Sequence, residues 1–366
     1  MSVAGSVIDR PVEGRRPFVL DGTRAAAGDR VPACYGVTAE RAFYSIEEQF
    51  GRPAVLILAG ADVLANLIPA IAEVAHHADA FAARGADLLL MVDDNPSWLW
   101  PDGRPPVRTI DCGDFLRRCD VGANQAAILL LDRNMRVAMR SAVHADAVAA
   151  CLDCLDGLPH EVPRDILLPA PAIVLPNLLS PRFCEDLIEL FETSLTIDGT
   201  VSRVDADGTA RNVVDHSKKR RRDMRIDPED DLHRTLEHLL LSRCAPEIAK
   251  AFQVNVTHID RLLVSRYDDS GGWFRRHRDN AADNVAFREF AISVNLNTGD
   301  YEGGHLLFPE YNDHRYSPPA GGGLIFSTGI LHEAAPVTAG LRYVLLTFFH
   351  GDAAEARRRA AVAGTL

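Results

Sequence analysis

The sequence contains no apolar run near the roughly 18 residues that a membrane-spanning helix requires, and it has no excess of positive charge. Its 51 acidic and 39 basic residues give a formal net charge of −12, which repels the phosphate backbone of nucleic acids. Residues 1–18 carry charges where a secretory signal would need an apolar stretch. We therefore expect a cytoplasmic protein that binds neither nucleic acid nor membrane.

Cysteines are too few to suggest a disulfide framework. The chain has seven of them, an odd number, and its 366 residues are enough to form a core without covalent cross-links. Only Cys151 and Cys154 have the C-x-x-C spacing of redox motifs. They end an Ala-rich helical pattern instead of starting a helix, where the thiolate would be stabilised. We expect reduced, structural thiols.

The composition, 47% hydrophobic and 25% charged, is typical of a globular chain, and 366 residues favour two domains. Residues 54–59 and 87–92 are short apolar runs, and the segment between them has helical spacing, which predicts a strand–helix–strand unit. Residues 126–141 predict a hairpin followed by a helix. We therefore predict that residues 1–160 form an α/β sandwich.

This first domain resembles the thioredoxin-like fold of the peroxiredoxin type, whose later part carries a hairpin like LLDRNMRV at residues 130–137. In that family the nucleophilic cysteine follows the first core strand at the start of a helix. The corresponding stretch here, GADVLANL at residues 60–67, has no cysteine. The resemblance implies the fold without its peroxide chemistry. From the absent nucleophile we hypothesise that this domain serves assembly, substrate presentation or formation of a homodimer.

Proline residues divide the chain after the first domain. Because proline disrupts regular helix, its clustering predicts a linker at residues 161–172. In the second domain, residues 173–366, two helical patterns begin near Ser180 and near residue 227. Short strand-like runs separated by turn residues then predict a jelly roll or barrel with helices outside it. The runs are 259–267, 289–297, 305–309, 323–327 and 341–349.

A His-x-Asp pair with a distant histidine is the spacing of the two-His, one-carboxylate site that holds non-haem Fe(II). Residues two apart diverge on a helix but share a face of a strand, which excludes the two pairs that lie in helical patterns. Of the two remaining pairs, His277/Asp279 follows a Gly-Gly bend and Phe274. A further histidine, His332, lies downstream in a strand-bounded segment, so His277, Asp279 and His332 are favoured as the ligands. The four pairs are His77/Asp79, His144/Asp146, His258/Asp260 and His277/Asp279.

Arg342 is in phase with the apolar residues Val344, Leu346 and Phe348 on the last predicted strand. A guanidinium on such a face is costly to bury unless an anion meets it, and its planar fork fits a carboxylate. A dicarboxylate cosubstrate would supply that anion.

Residues 173–350 resemble the Fe(II)- and 2-oxoglutarate-dependent oxygenases of the prolyl 4-hydroxylase type. The resemblance implies a double-stranded β-helix, and hence an α+β protein in which this barrel follows the thioredoxin-like sandwich. The matching residues are Tyr267, Gly272, Phe274, His277, Asp279, Arg288, NLN (295–297), EGG (302–304), Phe308, a Pro-Gly turn region (318–323), Phe326, His332, PV (336–337) and GLRY (340–343).

The same resemblance implies site residues and cofactors. His277, Asp279 and His332 would bind Fe(II), Arg342 would pair with the distal carboxylate of 2-oxoglutarate, and O2 would be consumed, with ascorbate as a further candidate cofactor. Tyr267 matches a tyrosine that hydrogen-bonds the cosubstrate. Asn295 stands where relatives often carry tyrosine, which makes it a third candidate contact to 2-oxoglutarate.

The implied reaction is hydroxylation of an unactivated C–H bond in an amino-acid-like, peptide or natural-product substrate, with release of succinate and CO2. Asp279 argues against halogenation, since related halogenases lack the carboxylate. Desaturation and epimerisation stay open, as do two other classes: a thiol-dependent peroxidase or reductase with a regulatory barrel, and an iron-binding sensor without turnover. We expect His305 on a solvated edge, with contact to substrate as the alternative. We expect the basic run at residues 218–223 in a solvated loop, with attraction of an anionic substrate into the cleft as the alternative.

Overall fold

The computed structural model describes residues 25–93, 107–144, 146–159, 165–204 and 210–362. We call residues 25–159 the N-terminal part and residues 165–362 the C-terminal part. The predicted linker lies partly outside the described residues, so the division of the chain at 161–172 stays a prediction. Within the described ranges, no helix is both long enough and apolar enough to cross a membrane.

The N-terminal part is built on one seven-stranded sheet in the order β2-β1-β5-β4-β3-β6-β7. Its strands are β1 Tyr35–Thr38, β2 Phe43–Ser45, β3 Ala54–Ala59, β4 Asp87–Val92, β5 Arg108–Asp111, β6 Ala126–Leu131 and β7 Val137–Ser141. Its helices are α1 Ala61–His76, α2 Ala78–Ala82, α3 Phe115–Arg118 and α4 Asp146–Asp156, with a short 3-10 helix at Ile46–Gln49.

The centre of this sheet has the thioredoxin-like arrangement. Strand β3 pairs in parallel with β4, and α1 lies in the connection between them. Strand β6 pairs antiparallel with the other side of β3 and then forms a hairpin with β7. Every residue of β3 is buried, because its alternating side chains enter two cores: Leu56 and Leu58 face one, Val55 and Ile57 the other. The predicted strand–helix–strand unit and hairpin are confirmed.

The described residues of the C-terminal part form two large antiparallel sheets, a separate two-stranded antiparallel pair of β10 with β11, and three helices. The larger sheet has the order β8-β20-β17-β22-β15-β13-β9, with β14 and β18 also paired to β22, and the smaller has the order β12-β16-β21-β19. Strands β8 to β15 are Ala172–Leu175, Ile197–Asp198, Thr200–Val204, Ala210–Val214, Lys219–Arg220, Arg222–Arg225, His258–Ile259 and Leu263–Asp268. Strands β16 to β22 are Trp273–His277, Phe290–Asn295, Tyr301–Gly303, Leu306–Leu307, Gly323–Ser327, His332–Ala334 and Val337–His350; the helices are α5 Pro181–Thr193, α6 Asp231–Phe252 and α7 Asp352–Val362, with a 3-10 helix at Asp283–Val285.

Two apolar cores hold this part together. One lies between the sheets and joins Tyr267, Ala291 and Val344 of the larger sheet to Leu306 and Ala334 of the smaller. The other packs α5 and α6 against the outer face of the larger sheet. Two facing antiparallel sheets with helices outside confirm the predicted jelly roll.

The strand and helix limits differ in places from the predicted ones. The run at 259–267 divides into β14 and β15, and the run at 305–309 yields only the two-residue strand β19. Helix α5 begins as predicted, because the Ser180 hydroxyl accepts a hydrogen bond from the Phe183 amide at 3.2 Å and Pro181 needs no partner for its nitrogen.

A buried ion pair connects the two parts of the chain. Arg136, beside β7, donates to Glu247 of α6 at 3.0 Å, and both side chains are 2% exposed. Arg136 also donates to the backbone oxygens of Gly28 at 2.9 Å and Arg243 at 2.7 Å. Arg243 in turn pairs with Asp29 at 2.8 Å. Helix α6 is therefore held against the N-terminal sheet by charges that have little access to water.

We expect Glu247→Gln to lower the free energy of unfolding by about 3 kcal/mol, because it leaves the Arg136 guanidinium buried without a counter-charge. Burial raises the pKa of Glu247, but Lys250 and Arg136 outweigh it and hold the pKa below its usual value. The stabilisation is then present above the unfolded-state pKa and is lost as the pH falls through the folded-state pKa. Urea denaturation at neutral and acid pH measures both effects.

Glu185→Gln is the matched control, since its carboxylate pairs with Arg182 on the exposed face of α5. We expect it to change stability by less than about 0.5 kcal/mol. Equal losses in the two variants would show that the buried pair contributes nothing specific.

Candidate metal centre

The pairing of β16 with β21 brings distant residues together. His277 ends β16 and lies directly opposite His332, the first residue of β21. Asp279 follows two residues after His277, and its amide donates to the Thr328 oxygen at 3.0 Å. One ligand atom from each of His277, Asp279 and His332 lies within 4.8 Å of the others. The structure thus gathers the three predicted ligands at one point.

The two imidazoles are oriented by the backbone. Nδ1 of His277 lies 2.7 Å from the Arg275 oxygen, and Nδ1 of His332 lies 3.0 Å from the Ile330 oxygen. A carbonyl can only accept, so each Nδ1 donates and each Nε2 keeps its lone pair. These Nε2 atoms lie 3.3 Å and 3.4 Å from the two Asp279 oxygens. Two imidazole nitrogens and one carboxylate, with no fourth protein ligand among the described residues, fit Fe(II) with open positions.

The protonation states also suit a metal. Burial lowers the pKa of His332 to about 4, so this imidazole is neutral at neutral pH. Burial opposes ionisation of Asp279, but His332, His277 and Arg288 together hold the pKa of that carboxyl well below its usual range. Neutral imidazole and ionised carboxylate are the forms that bind metal without releasing protons.

Aromatic rings surround the imidazoles. Phe274 stacks on His277 with ring centroids 3.5 Å apart, and Phe326 meets His332 edge-on at 4.6 Å. Phe308 lies beyond, 6.5 Å from His332. These side chains limit the access of water to the triad and fix the rings against rotation.

Arg342 lies in the same cavity and is 2% exposed. Its Nη2 donates to the Asn295 Oδ1 at 2.9 Å, while its buried Nε has no hydrogen-bond partner. Within the described residues, no carboxylate lies within salt-bridge distance of this guanidinium. A buried cation with an unmet donor requires an anion, so the residue fits the distal carboxylate of 2-oxoglutarate.

A glycine makes room for that arginine. A Cβ on Gly304 would lie 2.7 Å from the Arg342 Cδ, and the φ of Gly304 is +64°. Both the close approach and the left-handed backbone favour glycine at this position. The second glycine of the EGG motif is therefore explained by the placement of Arg342.

Tyr267 faces Arg342 across the β15–β22 pairing, with the Arg342 guanidinium carbon 5.2 Å from its ring centroid. Its hydroxyl accepts a hydrogen bond from Arg221 at 2.9 Å. Arg221 pairs with Asp223 at 2.7 Å, and Asp223 accepts from Ser265 at 2.7 Å. Because Arg221 occupies an acceptor position of the hydroxyl, the Tyr267 proton is left to donate to an anion in the cavity.

The prediction for the basic run needs correction. Lys219 is 3% exposed and Arg221 faces the cavity, so a solvated loop was wrong for these residues. Sequence reasoning missed that Lys219 and Arg221 flank the exposed Arg220, the alternation of a strand. His305 is half-buried, and its placement on a solvated edge stays a prediction.

Asn295 is buried beside Arg342, and its amide nitrogen donates to the Pro318 oxygen at 3.1 Å and to the Thr298 hydroxyl at 3.0 Å. Its oxygen accepts from Arg342. These contacts orient the guanidinium, and direct contact of Asn295 with 2-oxoglutarate stays a prediction.

Tyr267→Phe should raise the KM for 2-oxoglutarate by about tenfold, since it removes a charge-assisted hydrogen bond and leaves the Nη1 of Arg221 without its acceptor. Succinate formation at varied 2-oxoglutarate measures it. Tyr35→Phe, which alters an exposed tyrosine in β1, should leave the KM unchanged. An unchanged KM in Tyr267→Phe would separate this hydroxyl from the cosubstrate.

The thiols are placed unfavourably for peroxide chemistry. Helix α1 begins at Ala61 without a cysteine, and six of the seven cysteines are buried. Burial raises the pKa of Cys151 to about 12 and also raises that of Cys154, both within α4. A hydrogen bond from Cys112 lowers the pKa of Cys34, but Cys34 is fully buried. These observations support structural thiols.

Comparisons with known proteins agree with this geometry. Residues 262–350 match the family model of the 2OG-Fe(II) oxygenase superfamily, and this stretch includes His277, Asp279, His332 and Arg342. The match supports a 2OG-Fe(II) oxygenase domain in this stretch, and the cofactors of that family are Fe(II), 2-oxoglutarate and O2.

Solved structures resemble each part of the chain at low identity. A Trichoplax adhaerens prolyl hydroxylase, solved with a hypoxia inducible factor peptide, is 18% identical over 51% of this chain and 86% of its own, with a TM-score of 0.39. A Pseudomonas putida prolyl-4-hydroxylase is 19% identical over 50% of this chain and 93% of its own, with a TM-score of 0.36. Peroxidoxin BcpB from Mycobacterium tuberculosis is 15% identical over 37% of this chain and 98% of its own, with a TM-score of 0.32.

Proposed function

We propose that this protein is an Fe(II)- and 2-oxoglutarate-dependent hydroxylase. His277, Asp279 and His332 would hold the iron, and Arg342 would pair with the distal carboxylate of 2-oxoglutarate. The observation that carries the proposal is the convergence of three ligand atoms within 4.8 Å, in one cavity with a buried arginine that has no carboxylate partner among the described residues.

The protein's own residues would prepare the site. When bound, Fe(II) with 2-oxoglutarate and O2 supplies an oxidant for a C–H bond, with release of succinate and CO2. The backbone contacts of both histidines fix the Nε2 lone pairs toward the metal position. Tyr267 and Arg342 would orient the cosubstrate, and the phenylalanines around the triad would exclude water.

The substrate is proposed to be a small molecule or a peptide. The cavity has a volume of about 860 Å³, within the range of small-molecule sites. Hydroxylation is proposed ahead of desaturation or epimerisation, and the mass of the product distinguishes them, since only hydroxylation adds one oxygen.

The test is anaerobic addition of Fe(II) and 2-oxoglutarate to the full chain, with detection of the weak visible charge-transfer band of the chelate. We expect the band in wild type and its loss in His332→Ala. Admission of O2 should then release succinate. A band without succinate, under any substrate offered, would favour the iron-binding sensor instead. Peroxide consumption that disappears when all seven cysteines are replaced would favour the thiol peroxidase.

We further propose the division into residues 1–160, a linker at 161–172 and residues 173–366, in a cytoplasmic protein. The ion pair between Arg136 and Glu247 supports a fixed assembly of the two parts, in which the N-terminal part serves assembly, substrate presentation or a homodimer. Deletion of the N-terminal part would leave Glu247 and Arg243 without their partners, so point variants at this interface test its role better.

A further inference from the structure

The cavity around the triad has a charge opposite to that of the whole chain. Among the described residues, eleven lysines and arginines line it, against two carboxylates, Asp260 and Asp279. The full sequence has a formal net charge of −12. A concentration of cations in an acidic protein attracts an anionic ligand to this opening.

Five of these cations are buried or half-buried, and two of the five pair with a carboxylate of the described residues. Arg288 pairs with Asp260 at 2.6 Å and Arg221 with Asp223, while Arg342 is assigned to the cosubstrate. Two remain, Lys219 and Arg261, for which no carboxylate of the described residues lies within 4.0 Å. These two side chains can accept an anion that the protein itself does not supply.

Arg261 precedes β15, and its buried Nε has no hydrogen-bond partner. Its guanidinium carbon lies 5.9 Å from the Phe348 ring centroid. Burial, with the nearby charge of Arg288, lowers the pKa of Arg261 to about 10, so the residue stays charged at neutral pH. The inference therefore depends on a charged guanidinium with one N–H donor that has no hydrogen-bond acceptor.

Arg261 lies at the other end of the cavity from Arg342. Both Arg342 and Phe348 belong to β22, six residues apart and in phase on one face, which separates their backbones by roughly 20 Å. The five-carbon chain of 2-oxoglutarate, held between Arg342 and the metal position, therefore leaves Arg261 to another molecule.

Lys219 lines the same cavity, close enough to Arg261 for the two charges to interact. Its Nζ is 4.8 Å from the Phe274 ring centroid, and Phe274 stacks on His277. The ammonium donates to the Thr200 oxygen, which leaves further donors for a ligand. Burial and the charges of Arg221 and Arg261 lower the pKa of Lys219 to about 6, so a bound anion would favour its protonated form.

We propose that the substrate carries an anionic oxygen group, a carboxylate or a phosphate monoester, which binds Arg261 and Lys219 at the end of the cavity opposite Arg342. The inference rests on the proposed oxygenase function. The reactive C–H bond of the substrate would then lie between the two cations and the triad. A neutral amide of the same size should bind more weakly than the anion.

The test uses the full chain, loaded anaerobically with Fe(II) and saturating 2-oxoglutarate. The probes are N-acetylglycinate and methyl phosphate, with N-acetylglycinamide as the neutral probe, and titration calorimetry measures their binding. We expect saturable binding of at least one anion and much weaker binding of the amide. Which anion binds more tightly distinguishes the carboxylate from the phosphate.

Arg261→Gln should weaken that binding about tenfold or more, the loss expected for a charge-assisted hydrogen bond, while Arg261→Lys retains part of it. Arg225→Gln, which removes an exposed cation from the same cavity, should change it little. The charge-transfer band should persist in all three variants, since its loss would report on the proposed iron site instead. No saturable anion binding to wild type, equal binding of the amide, or equal losses in Arg261→Gln and Arg225→Gln would each overturn the proposal.

Discussion

Asp279→Ala should abolish the charge-transfer band and reduce succinate formation by more than roughly 100-fold. Loss of a residue that only hydrogen-bonds to a metal ligand costs roughly 10- to 100-fold, and loss of the ligand itself should cost more. Asp279 supplies the only charged ligand of the triad, and both imidazole Nε2 atoms lie within 3.4 Å of its oxygens. Its removal leaves two neutral donors, too few to retain Fe(II) in a fixed geometry. Iron content after gel filtration, together with single-turnover succinate, measures the effect.

Asp146→Ala is the matched control, because Asp146 belongs to another His-x-Asp pair but is exposed at the start of α4. We expect full iron binding and full activity in this variant. Wild-type iron content in Asp279→Ala, with the fold intact by circular dichroism, would remove the triad from the proposed function.

The second large effect is expected from Arg342→Gln. The KM for 2-oxoglutarate should rise about 100-fold, consistent with the 2–5 kcal/mol that breaking one side of a buried charge pair costs. The guanidinium is buried and its Nε has no protein partner, so the interaction with the cosubstrate is its main compensation. Succinate formation at varied 2-oxoglutarate separates this rise in KM from the smaller change expected in kcat.

Arg342→Lys distinguishes charge from geometry. Lysine restores a positive charge but not the planar fork, so we expect a KM between those of wild type and Arg342→Gln. Arg225→Gln again serves as the control that removes an exposed cation of the same cavity. An unchanged KM in Arg342→Gln would place the cosubstrate elsewhere in the cavity.

Local patterns in the sequence were sufficient for much of the fold. The alternation of apolar runs with helical spacing predicted β3, α1 and β4, because a buried parallel strand is apolar at every position. The rule that residues two apart share a strand face excluded two of the four His-x-Asp pairs. Both inferences depend only on neighbours in the chain, which is why sequence alone supports them.

Contacts between distant residues were decided by the tertiary structure. The sequence by itself was enough to predict which residues bind iron and that Arg342 meets an anion. Only the pairing of β16 with β21 placed His332 opposite His277, and only the packing of β13 beside β15 brought Arg221 to the Tyr267 hydroxyl. The Arg136–Glu247 pair likewise joins residues 111 positions apart. Such contacts depend on strand register and on the exclusion of water, two properties that arise when the whole chain folds.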